Sequence, residues 1–167
     1  MIISDLDRHY YGTHLLTLAR HPSETEERLM IRLLAFAMFA DEALEFGRGL
    51  SAEDEPALML RQANGNIKLW IHVGLPEERL LRKAAGRAES VVLLAYGGRA
   101  VEPWWRKEGE GLTRSKKLTI LVLNDAETQK LTSMCSRNME LQCTIQDSQL
   151  WFTDGVTSQA IELVKLI

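Results

Sequence analysis

The chain has 167 residues, 46% of them apolar and 26% charged, with a net charge of −3. That balance suits one globular domain over residues 1–167 and gives no bulk-charge argument for nucleic acid. The two cysteines, Cys135 and Cys143, lack the spacing of a disulfide framework or a zinc site. No apolar run approaches the about eighteen residues a membrane span needs, and no secretory leader opens the chain, so a cytoplasmic protein is expected.

Met1 to Ile3 read as the stub of a strand, Ser4 to Asp7 as a turn, and Tyr10 to Leu18 as a second strand. Pro22-Ser23-Glu24-Thr25-Glu26 predicts a helix start with Ser23 as N-cap and Glu26 closing a capping box. The helix is expected to reach about Leu44. Its middle, Leu29 to Ala40, is apolar nearly all round, which predicts burial between layers. Glu45 to Leu50 reads as a short strand or turn. Glu53-Asp54-Glu55-Pro56 opens a predicted helical segment to about Gln62, and Asn64-Gly65-Asn66 marks a turn.

Ile67 to Val73 is the clearest strand, with Lys68, Trp70 and His72 on one face and Ile67, Leu69, Ile71 and Val73 on the other. A helix follows from Leu75-Pro76 to about Ala88. Ser90 to Tyr96 is a continuously apolar strand, as in a sheet covered on both faces. Val101 to Lys107 reads as helix, Lys117 to Leu123 as buried strand, and Asp125 to Ser136 as helix. Met139 to Ile145 and Gln149 to Thr153 form a predicted hairpin around Gln146-Asp147-Ser148, and Ala160 to Ile167 a final edge strand. The order predicts an α/β (α+β) domain with a mixed central β-sheet flanked by helices and a C-terminal β-hairpin.

Several segments in this order resemble the YaeQ family: Leu18-Ala19-Arg20-His21-Pro22-Ser23-Glu24-Thr25, Gly47-Arg48-Gly49-Leu50, Asp54-Glu55-Pro56, Trp70-Ile71 with Val73-Gly74-Leu75-Pro76, Tyr96-Gly97-Gly98-Arg99, and Leu141 to Asp147. The likeness spans roughly Asp5 to Asp154. The family usually has a longer N-terminal strand than Met1 to Ile3. The resemblance implies a restriction-endonuclease-like core of the PD-(D/E)xK nuclease type. Such a core gathers carboxylates that hold Mg²⁺, with a lysine nearby, for phosphodiester hydrolysis.

Where the resemblance places an acid on the clearest strand, this chain has His72, and Lys68 stands where a further acid often sits. Histidine is a poor ligand for Mg²⁺ and lysine repels it. A catalytic set drawn from Glu27, Asp54, Glu55, His72 and Lys83, with Asp54, Glu55 and His72 as metal ligands, is the enzymatic reading. Mg²⁺ or Mn²⁺ would be its cofactor; otherwise no cofactor is expected. The plain alternative is a solvated loop for Asp54 and Glu55, capping and helix-dipole roles for the helix acids, and a hydrogen-bonded strand histidine.

Ten of the twenty basic residues lie between Leu75 and Lys117, against six acids. Arg79, Lys83 and Arg87 recur every fourth residue on one helix face, with Arg99 further on, a pattern able to track phosphates. Trp104 or Trp105, if exposed, would stack on a base. The leading expectation is a non-catalytic binding protein with a degenerate metal site, its partner nucleic acid or a protein. An active metal-dependent nuclease with a migrated site and a protein-interaction module are the alternatives.

Overall fold

The structure is a computed structural model that describes residues 1–48 and 54–167. In chain order its elements are β1 (Ile2–Asp5), β2 (Tyr10–Thr13), α1 (Glu26–Met38), β3 (Leu44–Phe46), β4 (Leu58–Arg61), β5 (Ile67–Val73), α2 (Glu78–Arg87) and β6 (Ala88–Ala95). A 3₁₀ turn at Gly98–Ala100 leads into α3 (Val101–Leu112), followed by β7 (Leu118–Val122), α4 (Asp125–Thr132), β8 (Gln142–Gln146), β9 (Gln149–Thr153), β10 (Ser158–Ile161) and β11 (Val164–Lys165).

The strands form two sheets rather than one. The central sheet has six strands in the order β11-β7-β6-β5-β4-β3; the second has five, β10-β9-β8-β1-β2. In the central sheet β5, β6 and β7 are parallel, and β3, β4 and β11 add antiparallel edges. Leu81 and Ala84 of α2 and Leu112 of α3 pack with Trp70, Val91, Leu93 and Ile120 on one face of it. On the other face α1 and α4 share a core with Ile71, Val92 and Leu94, and with Ile3, Cys143, Phe152 and Ile161 from the second sheet. Helix α1 therefore lies between two apolar surfaces, which is why its residues Leu29 to Ala37 are all buried. Among the described residues no helix is long and apolar enough to cross a membrane.

Several boundaries differ from the sequence reading. Ser4 and Asp5 belong to β1, so the first turn begins later. Strand β2 stops at Thr13 instead of Leu18, because Thr13 pairs with Ile2 at the first residue of β1. A strand needs a ladder partner, and past that point Leu15 is fully exposed. Helix α1 starts after Thr25, whose hydroxyl accepts from the Arg28 N–H at 3.1 Å. Ser23 instead bonds the His21 ring at 2.6 Å. The helix also ends at Met38, leaving Leu44 to open β3.

The segment predicted as helix before Gln62 is not helical: its Leu58–Arg61 form strand β4, with Leu58 and Leu60 buried and paired to Ile71 and Leu69. Glu53, and Gly49-Leu50 of the earlier motif, lie outside the described residues. The last predicted strand is split: β10 edges the five-stranded sheet, and β11 edges the six-stranded one. The link between them is held where the Glu162 N–H donates to the Glu127 carboxylate at 2.9 Å.

Candidate functional site

Strands β5 and β6 run parallel and end together, with Val73 opposite Leu94 and the Gly74 N–H donating to the Leu94 carbonyl at 2.9 Å. Gly74 and Gly97 leave these ends with φ of 106° and 129°, a region glycine enters without penalty. This edge carries His72 on β5 and Tyr96 just past β6. Alternation along β5 puts Trp70 and His72 on the α2 side, as the sequence pattern predicts. Both are buried, and the Trp70 indole N–H donates to His72 Nε2 at 2.9 Å.

That bond leaves the ring proton on Nδ1. A second proton on Nε2 would point at the indole N–H. Burial and the Arg28 guanidinium push the His72 pKa down to about 4, so the ring is neutral at ordinary pH. Burial raises the Tyr96 hydroxyl above its usual range, with Arg28, Glu27 and Glu24 among the charges it feels.

Glu24 and Asp54 are paired with protein cations, and Glu55 lies at the limit of reach of one. The Glu24 side chain is fully buried; it accepts from Arg28 Nη1 at 2.9 Å and, through both oxygens, from Arg32 Nη1 at 3.0 and 3.1 Å. Arg32, also buried, lies over the Phe46 ring, and its Nε has no partner among the described residues. Asp54 bonds Lys83 Nζ at 2.5 Å. That bond and charge, with Arg87 and Arg79 beyond, hold the Asp54 carboxyl below the usual carboxylate range. Glu55 stands 4.0 Å from Arg48 Nε. Glu27 is half-exposed on α1.

The structure thus brings Asp54 to Lys83 and His72 to Trp70, but it does not gather Asp54, Glu55 and His72 into a ligand set. Among the described residues no three His, Cys, Asp or Glu side chains stand together to hold a metal ion. The donor chemistry agrees: a buried, neutral histidine already accepting an indole proton does not suit hard Mg²⁺.

Arg79, Lys83 and Arg87 are all solvent-exposed on α2, with Arg99 exposed in the 3₁₀ turn. Much of this charge is balanced locally. Arg79 pairs with Glu77 at 2.7 Å and Arg82 with Glu78 at 3.1 Å. On α3, Arg106 pairs with Glu102, Lys107 with Glu108 and Arg114 with Glu110. Arg87, Arg99 and Lys116 make no hydrogen bond or ion pair among the described residues. Trp104 is not a free stacking platform: its indole N–H donates to the Pro76 carbonyl at 2.7 Å, and it packs against Trp105. The thiols are not activated nucleophiles, since burial pushes Cys143 up to about 12 and also raises Cys135.

Sequence reasoning missed the Glu24-Arg28-Arg32 cluster. Its one signal was an acid followed at four-residue intervals by two arginines running into an apolar stretch.

The family model for the YaeQ protein matches residues 1–163. The protein YaeQ of Salmonella typhi, described as uncharacterized, is 45% identical over 161 residues, covering 96% of this chain and 89% of its own length. The Escherichia coli K12 protein of the same description is 43% identical over the same span. The crystal structure of the YaeQ protein from Xanthomonas axonopodis pv. citri superposes with a TM-score of 0.93 at 45% identity, covering 98% of this chain and 93% of that one. The Pseudomonas syringae YaeQ structure also gives 0.93, at 35% identity, with coverage of 99% and 91%. The chain belongs to the YaeQ family.

Proposed function

We propose that this chain is a non-catalytic binding protein with a PD-(D/E)xK nuclease-like fold and a degenerate metal site, and that its ligand is the phosphate backbone of nucleic acid. The carrying observation is the pairing of Glu24 with Arg28 and Arg32 and of Asp54 with Lys83, with Glu55 4.0 Å from Arg48, together with a buried, neutral His72. Carboxylates spent on guanidinium and ammonium groups do not cage a divalent ion. Among the described residues, exposed cations without an ion pair remain at the two ends of β6: Arg87 where it begins, with Lys83 one helical turn earlier on α2, and Arg99 just past its end.

The test pairs two measurements on the whole chain. Calorimetric titration with Mg²⁺ and with Mn²⁺ is expected to give no binding heat, and single- and double-stranded substrates to remain intact. Binding of labelled DNA or RNA is expected to fall steeply with salt, and the double substitution Arg87→Ala, Arg99→Ala to lower the salt slope by about two. Metal-dependent cleavage lost in both Glu55→Ala and His72→Ala would make the chain a nuclease instead. Affinity unchanged from low to high salt would remove the phosphate backbone as ligand.

A further inference from the structure

The outer face of the five-stranded sheet carries no charged side chain, although 26% of the chain is charged. Strand register fixes two rows that cross all five strands. One runs Tyr11, Ser4, Thr144, Trp151, Ala160. The row beside it runs from Thr13 through Ile2, Gln142 and Thr153 to Ser158. Beyond them Gln146 faces Gln149 on the β8–β9 hairpin. Among its exposed uncharged polar side chains stand three large apolar ones: Tyr11, 64% exposed, and Ile2 and Trp151, 46% each.

Exposed Tyr and Trp without any Lys, Glu or Asp are traits of an interface, set here among small Ser and Thr side chains that leave the rings standing proud. A nucleic acid does not fit, because no cation on this face meets a phosphate.

The pattern of the first row matches itself. Tyr11 and Trp151 stand three strands apart, about 14 Å, with the small Ser4 and Thr144 between them. Turn a second copy about a two-fold axis along the strands and lay it on the first. Trp151 of each then meets Tyr11 of the other, and Ser4 of each meets Thr144 of the other. This is the reciprocal contact of an isologous dimer. The small central pair leaves room for the flanking rings as the sheets approach to about 10 Å. A face with no formal charge meets no like-charge repulsion from its own copy.

We infer that this face is a self-association surface on which two copies dock sheet on sheet, with Trp151 of each seated on Tyr11 of the other. The patch is about 19 Å across the strands and a few residues deep, short of the about 800 Å² per partner of a standard interface. The dimer is therefore weak and exchanges with monomer.

Sedimentation velocity of the full chain tests this over rising concentration up to about 1 mM, the weak end of specific affinity. The average mass is expected to climb from that of one chain toward two. Trp151→Glu is expected to hold it at one, with an unchanged circular dichroism spectrum showing that the fold survives. Ser4→Lys and Thr144→Glu are each expected to be monomeric alone and to recover the dimer when mixed, because the axis sets the new lysine against the new glutamate. A wild type that stays monomeric throughout, or a dimer of equal strength in Trp151→Glu, would overturn the inference. A mixture that stays monomeric while the wild type dimerises would overturn the proposed axis and its Trp151–Tyr11 contact.

Discussion

Trp70 donates its indole N–H to His72 Nε2, two residues along the same strand and on the same buried face, at 2.9 Å. The bond exists only while the imidazole is neutral. The folded pKa, about 4, lies below the ordinary 6.5, so the stabilisation from keeping the ring neutral is complete above about pH 6.5 and is lost as pH falls toward 4. The full displacement corresponds to about 3 kcal/mol. Denaturant unfolding at a series of pH values is expected to show this decline in the wild type and its absence in His72→Gln. Parallel curves for the two proteins would disprove it.

The Asp54–Lys83 pair is exposed on both sides, so its interest lies in charge rather than stability. Lys83→Met is expected to let the Asp54 carboxyl titrate closer to an ordinary aspartate, read from its side-chain carbon shift by NMR. Asp54→Asn is expected to release Lys83 and raise nucleic-acid affinity, steepening the salt dependence by about one phosphate contact. Unchanged binding in Asp54→Asn would separate this lysine from the ligand.

Glu24→Ala removes the partner of a buried guanidinium and is expected to cost about 3–5 kcal/mol in unfolding free energy. The double replacement Glu24→Leu, Arg32→Met takes out both buried members and is expected to recover much of that loss. Additive losses in the double variant would mean that the two side chains act independently.

Gly47 sits where β3 meets β4, its N–H donating to the Ala57 carbonyl at 2.9 Å. A Cβ there would run into the Pro56 carbonyl oxygen, which belongs to backbone and has little room to give. Gly47→Ala is expected to lower stability by about 1–3 kcal/mol. At Gly111 the same methyl meets only the flexible Glu78 carboxylate, so Gly111→Ala is expected to be nearly neutral. Thermal melts of the two variants compare them directly.

Elements whose own residues carry a strong periodic or turn signal were legible in the sequence. Ile67 to Val73 is strand β5 residue for residue, and the turn between β8 and β9 has Asp147 and Ser148 at φ of 52° and 63°, as a tight hairpin requires. What depends on a distant partner was not. Leu58 to Arg61 becomes strand because β5 lies beside it, against an acidic, proline-marked lead-in that reads as a helix start. Thr25 rather than Ser23 caps α1 because Glu24 turns inward to reach Arg28 and Arg32.

At the candidate site, strand parity placed Trp70 and His72 on one side correctly. It had no way to show that Lys83, on the next helix, would reach back to Asp54, or that arginines of α1 would take up Glu24. Ion pairs between elements far apart in the chain leave no periodic trace.

The tail of the chain belongs to both sheets, entering one at β10 and the other at β11 with only Glu162 and Leu163 between. Peeling either edge strand away therefore pulls on the other. The two sheets are mechanically yoked, and local opening at this end is expected to spread across the whole domain rather than stay within one layer.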